Sequence, residues 1–243
     1  MKKRSYSRWH WFMLIVRLGL FISIQALFAL VFWLAGFSRA WENSANWWPF
    51  VVTIANIICI ALLTWLFRKE GKRFWDIFQI PKEHIKSDSL VLLGTLVVIG
   101  PVSYLPIVWL GGLLFGDPQR TLDFIVRPLP LWAVYAIIFL FPVTQGIAEL
   151  ATYFSYVMPK LEMQGMQRWL AVTVPSLFLA FQHIGVPLLL DTRYLAWRGL
   201  MFLPFAFLAG IIMHWRPRML PYLAIIHVIM DMAFATMLLD VAY

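Results

Sequence analysis

Long apolar runs separated by short polar stretches dominate this chain. Seven of them approach or exceed the roughly 20 mainly apolar residues that a helix needs to cross a bilayer. They are approximately Trp11–Phe37, Trp47–Phe67, Leu90–Phe115, Leu131–Pro159, Trp169–Leu190, Leu195–His214 and Met219–Leu239. The third run contains Gly94, Gly100, Pro101 and Pro106, which kink or break helices, so eight segments are the alternative count. The pattern predicts an all-α fold: a polytopic transmembrane helical bundle of about seven spans. The first run is too long for a signal-peptide core and has no convincing small-residue cleavage site, so it reads as a retained signal anchor. No internal repeat, glycine-rich phosphate loop or low-complexity linker interrupts the runs.

Composition sharpens this picture. Of 243 residues, 62% are hydrophobic and 13% charged, against about 25% charged in an average soluble domain. That excludes an ordinary soluble globule and a disordered chain. The single cysteine, Cys59, excludes an intrachain disulfide framework and a cysteine-based zinc site. The net charge of +8 gains meaning from where the basic residues sit. With a cytoplasmic N-terminus, Lys2, Lys3, Arg4, Arg8, Arg68, Lys69, Lys72, Arg73, Lys82, Lys86, Lys160, Arg168, Arg216 and Arg218 lie inside. Arg39, Arg120, Arg127, Arg193 and Arg198 lie outside, and Arg17 is expected to snorkel from the first run to the cytoplasmic interface. This asymmetry follows the positive-inside rule. Anionic membrane lipid accounts for the basic charge, and no nucleic-acid partner is implied. Within the basic loop, Phe74–Phe78 reads as a short interfacial helix.

Against so apolar a background the ionisable residues inside the runs stand out. Each carries an insertion penalty of about 2.5–3.5 kcal/mol near the midplane, and such residues by default mark function. Glu149, His183, His227 and Asp231 are the four. His227 and Asp231 are four residues apart and share one helix face. Counted from the nearest cytoplasmic basic residue, all four lie at roughly 14–22 Å depth, in one layer of the membrane. Arg17 and Arg127 are the cations available to pair with Glu149. A carboxylate with imidazoles activates water for attack on a carbonyl, and the same groups ligate a divalent metal such as zinc. Neither Cys59, Ser155 nor Ser176 has the setting of a nucleophile, which leaves water as the attacking group. Water at this depth requires a polar cavity enclosed by the helices.

Three stretches resemble the motifs of the CPBP family of intramembrane proteases (the CAAX protease and bacteriocin-processing group, also called Abi). Its first motif, Glu-Glu-x-x-x-Arg continuing Gly-Tyr-Leu-x-Pro, is matched by Glu149, Tyr156 and Pro159, with Leu150 and Phe154 in place of the second Glu and the Arg. Its second, Phe-x-x-x-His, is matched by His183, with Leu179 for the Phe and Pro187 following. Its third, His-x-x-x-Asn or Asp, is matched by His227 and Asp231, led in by Phe205–Met213 with Gly210. The resemblance covers about residues 131–240. It implies that 131–243 form a catalytic helical core, with 1–130 adding N-terminal spans and the basic loop in one integral membrane domain. It also implies a bacterial inner or plasma membrane protein that hydrolyses a peptide, which is lipidated in the best-known branch of the family and not in others. Glu149 would be the general base and His183 would help to hold the water. His227 and Asp231 would stabilise the oxyanion or orient the site. If a metal is used, these four residues are the ligands.

Loss of both charges of the first motif, Leu150 and Phe154 standing in their places, leaves no unpaired buried charge behind. It also sets up the alternative to an endopeptidase: an inactive membrane scaffold for immunity or sensing. A third reading, an ion-coupled transporter using the same carboxylates and histidines as a relay, lacks the inverted repeats and paired broken helices that transport favours.

Overall fold

The structure, a computed structural model, describes residues 8–243; Lys2, Lys3 and Arg4 of the basic inventory lie outside the described residues. Every regular element among them is helical. An apolar surrounding demands this, because a helix satisfies its backbone N–H and C=O groups within one segment. In chain order the helices are α1 (Trp9–Leu34), α2 (Ala40–Asn46), α3 (Trp48–Lys69), α4 (Ile85–Phe115), α5 (Arg120–Ile125), α6 (Leu131–Leu150), α7 (Met158–Met163), α8 (Arg168–Phe181), α9 (Thr192–Leu200), α10 (Leu203–Trp215) and α11 (Leu220–Thr236). A π-helical segment, Ala151–Val157, joins α6 to α7 in one continuous rod.

Six helical units are long and apolar enough to cross a membrane: α1, α3, Phe74–Phe115, Leu131–Met163, Thr192–Trp215 and Pro217–Val241. The protein is an integral membrane helical bundle. It differs from the expected seven helices at the fifth run. There α8 stops at Phe181 after 14 residues. Gln182–Gly185 continue as a 3-10 turn, and the chain then runs without helix to Asp191, whose side chain caps α9 by accepting from the Tyr194 N–H at 2.8 Å. This run packs along α1. The turn before α8 meets the start of α1 through Gln164 and His10, 3.0 Å apart. Leu188, at the other end, bonds Gln25 of α1 and Trp41 of α2. Non-helical backbone at that depth is tolerated only where protein buries it or a polar cavity borders it; here Val186 and Pro187 are buried and Val186 lines the cavity.

The third run is not broken. α4 is one helix of 31 residues with Pro101 and Pro106 inside it, so an eighth segment does not form. Each proline removes one donor, and the remaining ladder holds because no water competes for it along a largely outward-facing helix. Phe74–Phe78 is a 3-10 turn, and Phe74 does not lie at the surface. It packs into the core beside Phe67, with ring centroids 5.8 Å apart, while Trp75 faces outward.

The polar loops gather at two ends. At one end Lys160 pairs with Glu70, Arg216 and Arg218 pair with the fully buried Asp88 at 3.1 and 2.9 Å, and His214 pairs with Glu162 at 2.9 Å. At the other end Arg127 bonds Asn46 at 2.6 Å, and Tyr243 exchanges backbone bonds with Leu129 and Leu131.

The two principal apolar clusters occupy different heights, and both draw on residues before and after 130. α1 contributes Leu14 to one and Phe21 to the other; α3 contributes Cys59 and Val52; α6 contributes Leu150 and Phe141. Between each of these pairs lies a polar residue: Arg17, Asn56, and Gln145 with Glu149, all buried.

Central to the bundle is α6, which packs most extensively against α11 and α3. Gly146 permits the approach of α11: a Cβ there would lie 2.6 Å from Val228 Cγ2 and 2.9 Å from the Ala224 carbonyl oxygen. The second neighbour is backbone and cannot rotate away. Gly146→Ala is therefore expected to destabilise the protein by about 1–3 kcal/mol. Thermal unfolding in detergent should show a lowered midpoint; an unchanged midpoint would contradict so close a helix contact.

Candidate functional site

The four singled-out residues arrive from three places: Glu149 from the end of α6, His183 from the turn that ends α8, and His227 and Asp231 from one face of α11. The structure brings all four together. His183 Nε2 lies 3.6 Å from Glu149 Oε1, and His227 Nε2 lies 3.5 Å from Glu149 Oε2 and 3.4 Å from Asp231 Oδ2. All four line a cavity of about 200 Å³ whose remaining wall is mostly aromatic and aliphatic. Rings from the Met201–Phe205 stretch brace the imidazoles: Phe202 lies 4.0 Å from the His183 ring and Phe205 5.6 Å from that of His227.

Arg17 does not snorkel. Its side chain is fully buried and turns inward to the Glu149 carboxylate, Nη2 to Oε1 3.7 Å. Of the two candidate cations, Arg17 is the one that pairs, and Arg127 belongs to the far end. What holds Arg17 there is a set of amides. Its Nε donates to Gln182 Oε1 at 2.6 Å, Nη1 to Asn56 Oδ1 at 2.6 Å and Nη2 to Gln145 Oε1 at 2.9 Å. A guanidinium can only donate, so it takes the carbonyl ends of both glutamines and turns their NH₂ ends outward. Those NH₂ groups donate to Glu149 Oε1 at 2.7 Å from Gln145 and 2.6 Å from Gln182. An ionised carboxylate only accepts, so donors and acceptors match throughout. Asn56 Nδ2 also donates to Gln145 at 3.0 Å, and the Tyr153 hydroxyl to Gln182 at 3.1 Å.

The network fixes one carboxylate oxygen and leaves the other. Oε1 accepts two amide donors, whereas Oε2 has no hydrogen-bonding neighbour closer than His227. His183 Nδ1 lies 3.1 Å from the Ala180 carbonyl. A carbonyl only accepts, so Nδ1 carries a proton and Nε2 faces Glu149. In the neutral imidazole that places two acceptors 3.6 Å apart. Such a pair requires a hydrogen between them, from a water donating to both or from a proton on Nε2. His227 Nδ1 and Asp231 Oδ2 are buried and have no hydrogen-bond partner among the described residues.

Among the described residues no group of three or more His, Cys, Asp and Glu side chains is set to hold a metal ion. Both close neighbours of Glu149 Oε1 are amide N–H groups, so this oxygen is taken up by the network while Oε2 faces the cavity side of His227.

Arg17, Asn56, Gln145, Gln182 and Tyr153 are absent from the set chosen by charge alone. A signal existed: three of them are amides set inside apolar runs, Gln145 one helical turn before Glu149 and Gln182 next to His183. Arg198, assigned above to the outer surface, is buried and borders the cavity. No family model, curated protein or solved structure matches this chain.

Removing Arg17 leaves a buried carboxylate without its cation, which typically costs 3–5 kcal/mol. Arg17→Met is expected to lower the unfolding midpoint in detergent sharply, and adding Glu149→Gln to it should recover part of the loss. If the double variant is as destabilised as the sum of the two single variants, the two charges are not coupled.

Proposed function

We propose that this protein is an intramembrane endopeptidase of the CPBP type, in which Glu149 activates a water molecule. One observation supports this most strongly: a carboxylate and two imidazoles face one cavity inside an apolar bundle, with Glu149 Oε1 anchored and Oε2 left open. In the proposed reaction, water held by Glu149 and His183 gives a proton to Glu149 Oε2 as its oxygen attacks the scissile carbonyl carbon. The C–O bond forms and the carbonyl becomes an oxyanion, which accepts a hydrogen bond from His227 Nε2–H. As the tetrahedral intermediate collapses, the C–N bond breaks and Glu149 returns the proton to the leaving amine. Asp231, whose Oδ2 lies 3.4 Å from the same His227 Nε2, favours the tautomer with its proton on that nitrogen.

The first motif lacks its Arg, with Phe154 in that place, and the cation beside Glu149 is Arg17 instead. It reaches Glu149 Oε1 from α1 without occupying Oε2. The proposal places the basic end of the bundle, with Lys160, Arg216 and Arg218, in the cytoplasm, together with the N-terminus. The substrate is a peptide or protein segment that reaches the cavity within the membrane. No step is assigned to a metal.

A scaffold without activity is the second reading, and one observation favours it: Glu149 is so fully engaged through Oε1 that it satisfies a structural network as well as a catalytic one. The two separate in a cleavage assay. Purified protein in liposomes with a reporter peptide should lose at least about 100-fold in rate for Glu149→Gln and for His183→Ala, with both variants still accumulating in the membrane. Full activity in Glu149→Gln would refute the mechanism, and no cleavage by the wild type of any member of a membrane-peptide library would favour the scaffold.

A further inference from the structure

Arg198 is a second buried cation at the cavity, and its setting differs from that of Arg17. It is 5% exposed and lines the same cavity as Glu149, His183, His227 and Asp231. Its Nε and Nη2 both donate to one acceptor, the Val186 carbonyl oxygen, at 3.2 and 2.9 Å, and the Tyr194 phenol lies beside it. No carboxylate is within ion-pair distance of it among the described residues, whereas Arg17, Arg216 and Arg218 each have one. A positive charge in an apolar layer carries a penalty that one carbonyl, the Tyr194 phenol and the more distant Glu149 and Asp231 carboxylates offset only in part. Holding Val186 in place needs a donor but not a full charge. Around Arg198 the cavity wall is apolar, with Met201 and Phe202 from the turn between α9 and α10 and Ile107 from α4. The guanidinium lies 5.4 Å from the Phe202 ring centroid, and that ring stacks on His183. The cation therefore adjoins the imidazole that faces Glu149.

From this geometry we infer that Arg198 recognises a carboxylate on the bound substrate, so that the ligand class is a hydrophobic peptide carrying an acidic group close to the bond presented to Glu149. The inference rests on the peptidase reading for the word substrate, but its test does not need cleavage. A peptide's terminal carboxylate and an acidic side chain share this chemistry, and three probes separate them. An N-acetylated hydrophobic peptide is made as the free acid, as the C-terminal amide, and as the amide with one internal Glu. Binding to wild-type and Glu149→Gln protein is measured in nanodiscs.

One of the two acidic probes is expected to bind at least about tenfold more tightly than the neutral amide, and which one does so identifies the carboxylate. Arg198→Gln should abolish the preference, and Arg198→Lys, which keeps the charge and loses the two-point grip on Val186, should retain part of it. Equal binding of all three probes to the wild type would overturn the inference, as would a preference that survives Arg198→Gln. A uniform weakening of all three probes in both variants would mean that Arg198 only holds the chain at Val186, and would also overturn it. Should Arg198→Gln fail to accumulate, the wild-type comparison and Arg198→Lys decide. An acid preference without any cleavage by the wild type would defeat the peptidase reading and leave the carboxylate site standing; cleavage without an acid preference would do the reverse.

Discussion

An ionised carboxylate buried in an apolar bundle needs a nearby cation and donors for its lone pairs, and the architecture around Glu149 follows from that need. Arg17 provides the cation from a helix more than 130 positions away in sequence. It cannot simply neutralise Glu149, because its remaining donors must also be satisfied. Asn56, Gln145 and Gln182 do this, and two of them pass the polarity on to the carboxylate. The network ties α1, α3, α6 and the turn after α8 together at one height. It lies between apolar clusters that would otherwise allow these helices to slide. A buried ion pair is weak evidence of stability in itself; its use here is to fix which way each polar group points.

The interruption of α8 belongs to the same constraint. Gln182 must reach Arg17, Tyr153 and Glu149 while His183 presents its Nε2 to the cavity. Gln182 and His183 are consecutive in the 3-10 turn at Gln182–Gly185, and both come to Glu149 Oε1. Behind it Gly185 lies close to α1, since a Cβ there would be 2.7 Å from Leu18 Cδ1. The freed backbone is tied off by Gln25, Trp41 and Arg198. Next to Glu149 the π-helical segment serves a similar end, turning Tyr153 onto Gln182. Irregular helix geometry thus clusters where the polar groups meet, as it does at many functional sites.

The apolar runs made the helical membrane fold legible, because length and hydropathy carry that information directly. Glu149, His183, His227 and Asp231 were legible for the same reason: charge is conspicuous in such a chain. Depth counted from basic residues placed them in one layer, but counting does not show which face of a helix looks inward. Arg17 was misplaced for that reason: a lone Arg near a helix end snorkels unless something deeper binds it, and its partners are on three other elements. Amides were passed over because they carry no charge, although in hydrocarbon an unpaired amide is also costly. Pro101 and Pro106 suggested a break in α4, but a proline removes only one bond. The break came instead at Gln182, just ahead of Gly185 and Pro187, where the side chains of Gln182 and His183 make long-range contacts.

The central claim is that Glu149 Oε2 directs water onto a peptide bond inside this bundle. Its most direct test is membrane peptidomics in H₂¹⁸O, comparing cells carrying the wild type with cells carrying Glu149→Gln at equal protein levels. The account predicts new peptide ends in the wild type alone, each with ¹⁸O in its fresh C-terminal carboxylate. Identical sets of ends in both, or wild-type-specific ends that lack the label, would contradict it.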